Sequence, residues 1–125
     1  MMMVRADLTV FIVDDDESVC RALGRLMKSV GYKKVETFNS VEAFLSRAPL
    51  EGPSVLILDL RMPGMGGIEL QRHLRESGYQ IPIVFISAHV DELARAKAMG
   101  TEALAFLKKP FDDEDLLAAI RAAGN

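Results

Sequence analysis

The chain alternates between short unbroken apolar runs and longer stretches in which apolar residues recur every three or four positions. "LTVFIV" (Leu8–Val13) is a continuous, β-branched run of strand length. Over Val19–Val30 the apolar residues fall at Val19, Ala22, Leu23, Leu26, Met27 and Val30. That is the rhythm of an amphipathic helix, with Gly31 as its stop. "KKVETF" predicts a short, more polar strand near a sheet edge, and "NSVEAFLSRA" (ending at Ala48) a helix capped by Asn39 or Ser40. The second half repeats the pattern. "SVLILDL" predicts a buried strand, "RMPGMGG" a turn-rich loop, and "IELQRHLRESG" a helix with a thin apolar stripe of Ile68, Leu70 and Leu74. "IPIVFIS" is another buried strand, with a proline tolerated near its start. "VDELARAKAMG" is a helix with a mostly alanine face, and "EALAFLKK" a strand broken by Pro110. "DDEDLLAAIRAAG" (ending at Gly124) is a helix with acids in its first turn, where the macrodipole favours them.

Strands apolar on both faces and separated by helices argue for a parallel sheet covered on both sides, an α/β fold of five βα units. Ligands of such sheets sit beyond the carboxyl ends of the strands, where strand order reverses. That rule singles out Asp14, Asp15 and Asp16 after the first strand, Asp59 ending the third, Ser87 ending the fourth and Lys109 ending the fifth.

Those positions form a chemical set. Carboxylates converging from adjacent strands cannot all stay ionised comfortably; a pKa must rise or a cation must bind. Mg²⁺, a hard cation that keeps several waters, suits such an all-oxygen site, and Mn²⁺ could substitute. Lys109 supplies the opposite charge, and the following proline biases it toward an extended backbone. Ser87 offers a hydroxyl donor. A carboxylate nucleophile, a divalent metal, a lysine and a hydroxyl are what phosphoryl transfer to an aspartate requires.

Composition narrows the field. At 125 residues with a formal charge of −3, the chain predicts one domain over 1–125 with no nucleic-acid contact of its own. Lone Cys20 excludes an internal disulfide framework and predicts a reducing, cytoplasmic setting. Nothing resembles a secretory signal in "MMMVRAD" or a membrane span elsewhere.

With these residues in place, the chain resembles the receiver domains of bacterial two-component response regulators, CheY-like and closest in texture to the FixJ-type branch. The motifs "VDDD", "LILDLRMPGMGG", "VFISA" and "FLKKPF" carry the resemblance from about Leu8 to Ala123. It implies a three-layer, doubly wound (βα)5 fold with strand order 2-1-3-4-5 and a core of about 8–123. By the same match, Asp59 is the phospho-acceptor and Asp15 ligates Mg²⁺ directly. Asp14 acts through metal-bound water, and the Arg61 backbone carbonyl is a further ligand. Ser87 and Lys109 engage the phosphoryl group, and Phe106 is a switch residue that turns inward. The implied partner is a sensor histidine kinase or phosphotransfer protein. Phosphorylation changes the face of the fourth helix, fifth strand and fifth helix, promoting a homodimer or controlling an output domain. Such a C-terminal DNA-binding domain lies outside this chain, which ends at Asn125.

Plainer readings stand beside these. The first acids could merely cap the first helix, Ser87 could be a turn residue, and Phe106 could be core or interface. Cys20 reads as a small buried hydrophobe, and His73 and His89 as surface or loop residues. A stand-alone receiver binding a protein target or shuttling phosphate is the alternative function. A flavodoxin-like carrier is disfavoured because "DDDES" would repel a flavin phosphate. An aspartyl-phosphate phosphatase would want an acid where Arg61 stands.

Overall fold

Period-two alternation within each strand divides the interior into two cores, one on each face of a single sheet. In the computed structural model, which describes residues 5–47 and 50–123, β1 (Thr9–Val13), β2 (Lys34–Phe38), β3 (Ser54–Asp59), β4 (Ile83–Ser87) and β5 (Ala105–Lys108) are the strands. Between and after them come α1 (Glu17–Ser29), α2 (Val41–Ser46), α3 (Gly67–Glu76), α4 (Val90–Ala98) and α5 (Asp113–Ala123). The predicted helix ends at Ala48 and Gly124, the opening residues 1–4 and the terminal Asn125 lie outside the described residues.

All neighbouring strands are parallel, in the order β2-β1-β3-β4-β5, as the sequence predicts. On one face, Val10, Ile12, Val55, Ile57, Val84 and Ile86 pack against Leu23 and Met27 of α1 and Leu116 and Ile120 of α5. On the other, Phe11, Val13, Leu56, Leu58 and Phe85 meet Phe44 of α2, Leu70 and Leu74 of α3, and Leu93 and Ala96 of α4. Phe44 meets Phe11 and Phe38 edge-on there, with ring centroids 5.4 Å apart, while Phe11 and Phe38 lie tilted at 6.3 Å. The polar second strand does lie at an edge.

Local chemistry sets the boundaries. Asp16 caps α1 by accepting from the Ser18 amide at 2.9 Å, so the capping reading of the acids holds for this residue. Ser40, rather than Asn39, caps α2 by accepting from the Ala43 amide. Gly31, at φ 111°, turns the chain out of α1 in a conformation other residues avoid. Pro82 falls just before β4 instead of inside it, and its carbonyl accepts from the Leu56 amide. Strand β5 is shorter than predicted, starting at Ala105, although the Leu104 amide already donates to the Ile83 carbonyl of β4 at 2.8 Å. Gln71, absent from the predicted stripe of α3, is buried and donates its amide to the Glu102 carbonyl at 2.7 Å.

The register places the site. Val13 lies opposite Leu58, so Asp14 and Asp59 emerge side by side at the carboxyl ends of β1 and β3. These are the strands between which chain order reverses, since β1 leads outward to β2 on one side and β3 leads to β4 and β5 on the other. Gly67 lets α3 start directly over the end of β3. A Cβ there would sit 2.8 Å from the Asp59 carbonyl oxygen and 3.2 Å from the Leu60 Cα, both backbone atoms.

Gly67→Ala should therefore destabilise the domain by about 1–3 kcal/mol through overpacking. Urea unfolding measures this; an unchanged midpoint would mean that α3 shifts freely over β3.

Candidate functional site

The carboxyl ends of β1, β3 and β5 open into a shallow cleft of about 540 Å³. Asp14, Asp15, Asp16, Asp59, Arg61, Met62, Pro63, Ala88, His89 and Lys109 line it. Each acid is delivered by a strand that has just run through the core. Asp14 follows five buried residues and is itself wholly buried (0% exposed); Asp59 follows four and is 6% exposed. Apolar strands thus carry carboxylates to a place where water cannot fully solvate them, a costly arrangement unless each finds a partner.

Lys109 is that partner. Its Nζ donates to Asp14 Oδ2 at 2.7 Å and to Asp59 Oδ2 at 3.3 Å. Its own amide donates to the Ser87 carbonyl at 2.8 Å, and the Lys109–Pro110 peptide is cis. The remaining carboxylate oxygens take backbone donors. Asp14 Oδ1 accepts from the Asp16 amide at 2.9 Å, and Asp59 Oδ1 from the Arg61 amide at 3.1 Å. The plain helix-cap reading of the first acids therefore fails for Asp14, which faces the site.

Asp15 is exposed and has no hydrogen-bond or ion-pair partner among the described residues. One oxygen each from Asp14, Asp15 and Asp59 fall within 4.8 Å of one another. Three carboxylates at that spacing, two buried and one open to solvent, are an all-oxygen donor set suited to a hard divalent cation that keeps some of its waters. The Arg61 carbonyl accepts no hydrogen bond among the described residues.

Electrostatics follow the burial. Desolvation is the largest influence on Asp59 and pushes its pKa above the ordinary aspartate value. The Asp14 charge pushes the same way, and the Arg61 amide and Lys109 offset this only in part. Burial works against the Lys109 charge. Its hydrogen bond to Asp14 and the nearby carboxylate of Asp59 outweigh it, so the ammonium is held above the usual lysine value.

Two of the predicted residues stand apart from this cluster. Ser87 is wholly buried, and its hydroxyl accepts from the His89 amide at 2.9 Å and donates to the His89 carbonyl at 3.4 Å. In this conformation it does what a turn serine does. Phe106 is half-buried on the face of the sheet that carries α4, stacked on Phe85 with centroids 5.7 Å apart. The Lys97 ammonium also lies over this ring, 5.6 Å from its centre. Cys20 is buried as expected, but its thiol also donates to the Asp14 carbonyl at 3.2 Å, supporting the end of β1 from behind.

Sequence reasoning missed one neighbour of the cluster. The Arg61 guanidinium reaches across to α4, donating to His89 Nε2 at 3.0 Å and pairing with Glu92 Oε1 at 3.0 Å. His89, read as a surface or loop residue, is exposed as expected and is also an acceptor in this network. Neither its spacing nor its surroundings in sequence signal that role.

Comparison with known proteins bears on the family and the fold. The family profile of the response regulator receiver domain matches residues 10–121. Response regulator protein TodT of Pseudomonas putida is 47% identical over 114 residues, covering 91% of this chain and 50% of TodT. Transcriptional regulatory protein FixJ of Rhizobium meliloti is 41% identical over 117 residues, covering 94% of this chain and 57% of FixJ. The crystal structure of FixJ-N is similar with a TM-score of 0.82 at 39% identity, covering 94% of both chains. The chain thus spans about half the length of the curated relatives it matches. No helix among the described residues is long and apolar enough to cross a membrane. Its fold, its strand order and its matched residues place the chain in the response regulator receiver domain family of two-component systems.

Proposed function

We propose that this receiver domain accepts a phosphoryl group on Asp59 from a phosphohistidine of a sensor kinase or phosphotransfer protein. The observation that carries the reading is the single ammonium of Lys109 bonded to both Asp14 and Asp59 beside a gathering of three carboxylates. Asp14, Asp15, Asp59 and the Arg61 carbonyl are the residues that would hold Mg²⁺, or Mn²⁺ in its place. The cation would neutralise the charge of the incoming phosphoryl oxygens.

Asp59 Oδ attacks phosphorus; the new P–O bond forms as the P–N bond to the donor imidazole breaks, and the imidazole leaves with that electron pair. Lys109 already spans the acceptor and its neighbour, so its charge offsets the repulsion between Asp59 and an anionic donor with little rearrangement. The Arg61 amide fixes the carboxylate plane by holding Oδ1, which leaves the other oxygen as nucleophile. The acyl phosphate adds about −1.5 to −2 charge at the sheet crest. Ser87 is the nearest buried hydroxyl on the neighbouring strand, and a phosphoryl oxygen is a stronger acceptor than the His89 carbonyl it now serves. Its departure from the turn at His89 leaves room for Phe106 to rotate inward. The face of α4, β5 and α5 is then altered for a homodimer or an output domain. The FixJ relative is a transcriptional regulator, which supports a DNA-binding output beyond a single receiver domain over 1–125. In that setting the domain acts in the cytoplasm as a regulator, not as a metabolic enzyme.

Incubation with acetyl phosphate and Mg²⁺ should give a phosphoryl adduct by intact mass, and Asp59→Asn should abolish it. A wild-type protein that stays unlabelled where other receivers are labelled refutes the reading. Burial raises the Asp59 pKa, so the folded protein holds this proton more tightly than the unfolded chain. That contribution to stability is present below the unfolded-state value and is lost as pH rises through the folded-state value. Asp59→Asn should accordingly stabilise the domain in EDTA at neutral pH, with a gain that shrinks on acidification. Chemical denaturation across pH reads this out, and a gain that grows toward acid would contradict it. Finally, beryllofluoride with Mg²⁺ should bury the Phe106 ring and remove it from beneath Lys97. An NMR label on Phe106 that keeps its environment would exclude it from the switch.

A further inference from the structure

Arg61 sits with its backbone on the acid cluster and its side chain on α4. Its amide donates to Asp59 Oδ1 at 3.1 Å, and the residue lines the same cleft as Asp14, Asp15 and Lys109. A second cation so close to three carboxylates would be drawn into them, above all onto Asp15, which is exposed and without a partner among the described residues. The guanidinium instead points away, bonded to His89 Nε2 and paired with Glu92 Oε1, each at 3.0 Å. A guanidinium only donates, so His89 Nε2 accepts and its ring proton resides on Nδ1. Glu92 lies in the first turn of α4, where the helix dipole also favours a carboxylate.

We propose that Glu92, assisted by His89, is a positioning residue. It holds the Arg61 guanidinium over α4 and out of the acid cluster, so that Asp15 and Asp59 remain available to a divalent cation. The inference rests on the reading of the cluster as a cation site and adds the element that keeps an internal cation from filling it. Lys109 does not compete in the same way, because it bonds the inner oxygens of Asp14 and Asp59 and leaves Asp15 untouched. Removing the Glu92 charge frees the long Arg61 side chain, 63% exposed, to fold back onto the acids and displace metal.

The test is a double-mutant cycle read by Mg²⁺ titration calorimetry and, independently, by the electron paramagnetic resonance of bound Mn²⁺. Glu92→Gln keeps the shape and removes the charge. It should weaken Mg²⁺ affinity about two- to five-fold, the range expected from losing one exposed ion pair. In an Arg61→Gln background, where nothing remains to fold back, the same Glu92→Gln change should have no effect. Circular dichroism and a urea midpoint close to wild type establish that each variant is folded. An unchanged affinity in Glu92→Gln overturns the proposal. So does an equal loss in both backgrounds, which would assign the effect to Glu92's own charge. A wild-type protein that takes up no Mg²⁺ overturns the cation reading itself, which separates that failure from a failure of the Glu92 role alone.

Discussion

One ammonium group reconciles this domain with its own interior. Asp14 and Asp59 leave the core on adjacent strands with almost no access to water, and Lys109 Nζ lies between them at 2.7 and 3.3 Å. Removing that ammonium would leave two buried acids uncompensated, at a cost of about 3–5 kcal/mol. The arrangement is also incomplete, since two carboxylates share one cation and a third stands open beside them. Burial keeps Asp59 reluctant to ionise, while Lys109 and the Arg61 amide hold it in place. The result is a carboxylate that gains from any further positive charge and is already oriented.

Much of this was legible in the chain. The apolar runs ending in Asp14, Asp59 and Ser87 are long enough to be strands and apolar on both faces, so both the parallel sheet and the position of its crest follow from them. Lys109 was legible because an apolar strand ends there and a proline follows. What stayed hidden depends on side chains that meet only after distant loops cross. Arg61, His89 and Glu92 are polar surface residues with no periodicity, and their meeting is set by where α4 begins relative to the loop after β3. Gln71 broke the apolar stripe of α3 because its amide replaces an apolar contact with a hydrogen bond to Glu102. Ser87 shows the limit most plainly: its register marks it for the crest, but the state of its hydroxyl is decided by the turn at His89.

Helix α4 is held differently from its neighbours. Only Leu93 and Ala96 are buried along it, whereas α1 and α5 each bury four residues. Polar contacts supply much of the rest: Arg61 onto its first turn, and Lys97 over Phe106 toward its other end. Contacts of that kind are individually weak and sensitive to nearby charge. A change of charge at the crest would therefore reach a helix that the core anchors only lightly.

The wide sequence separation of the central trio has a bearing on biosynthesis. Asp14 and Lys109 are 95 positions apart, and Asp59 and Lys109 are 50. A nascent chain still lacking its last strand contains both acids but not the ammonium that makes their closeness tolerable. The crest therefore waits for the last strand, which alone brings the ammonium that both acids share.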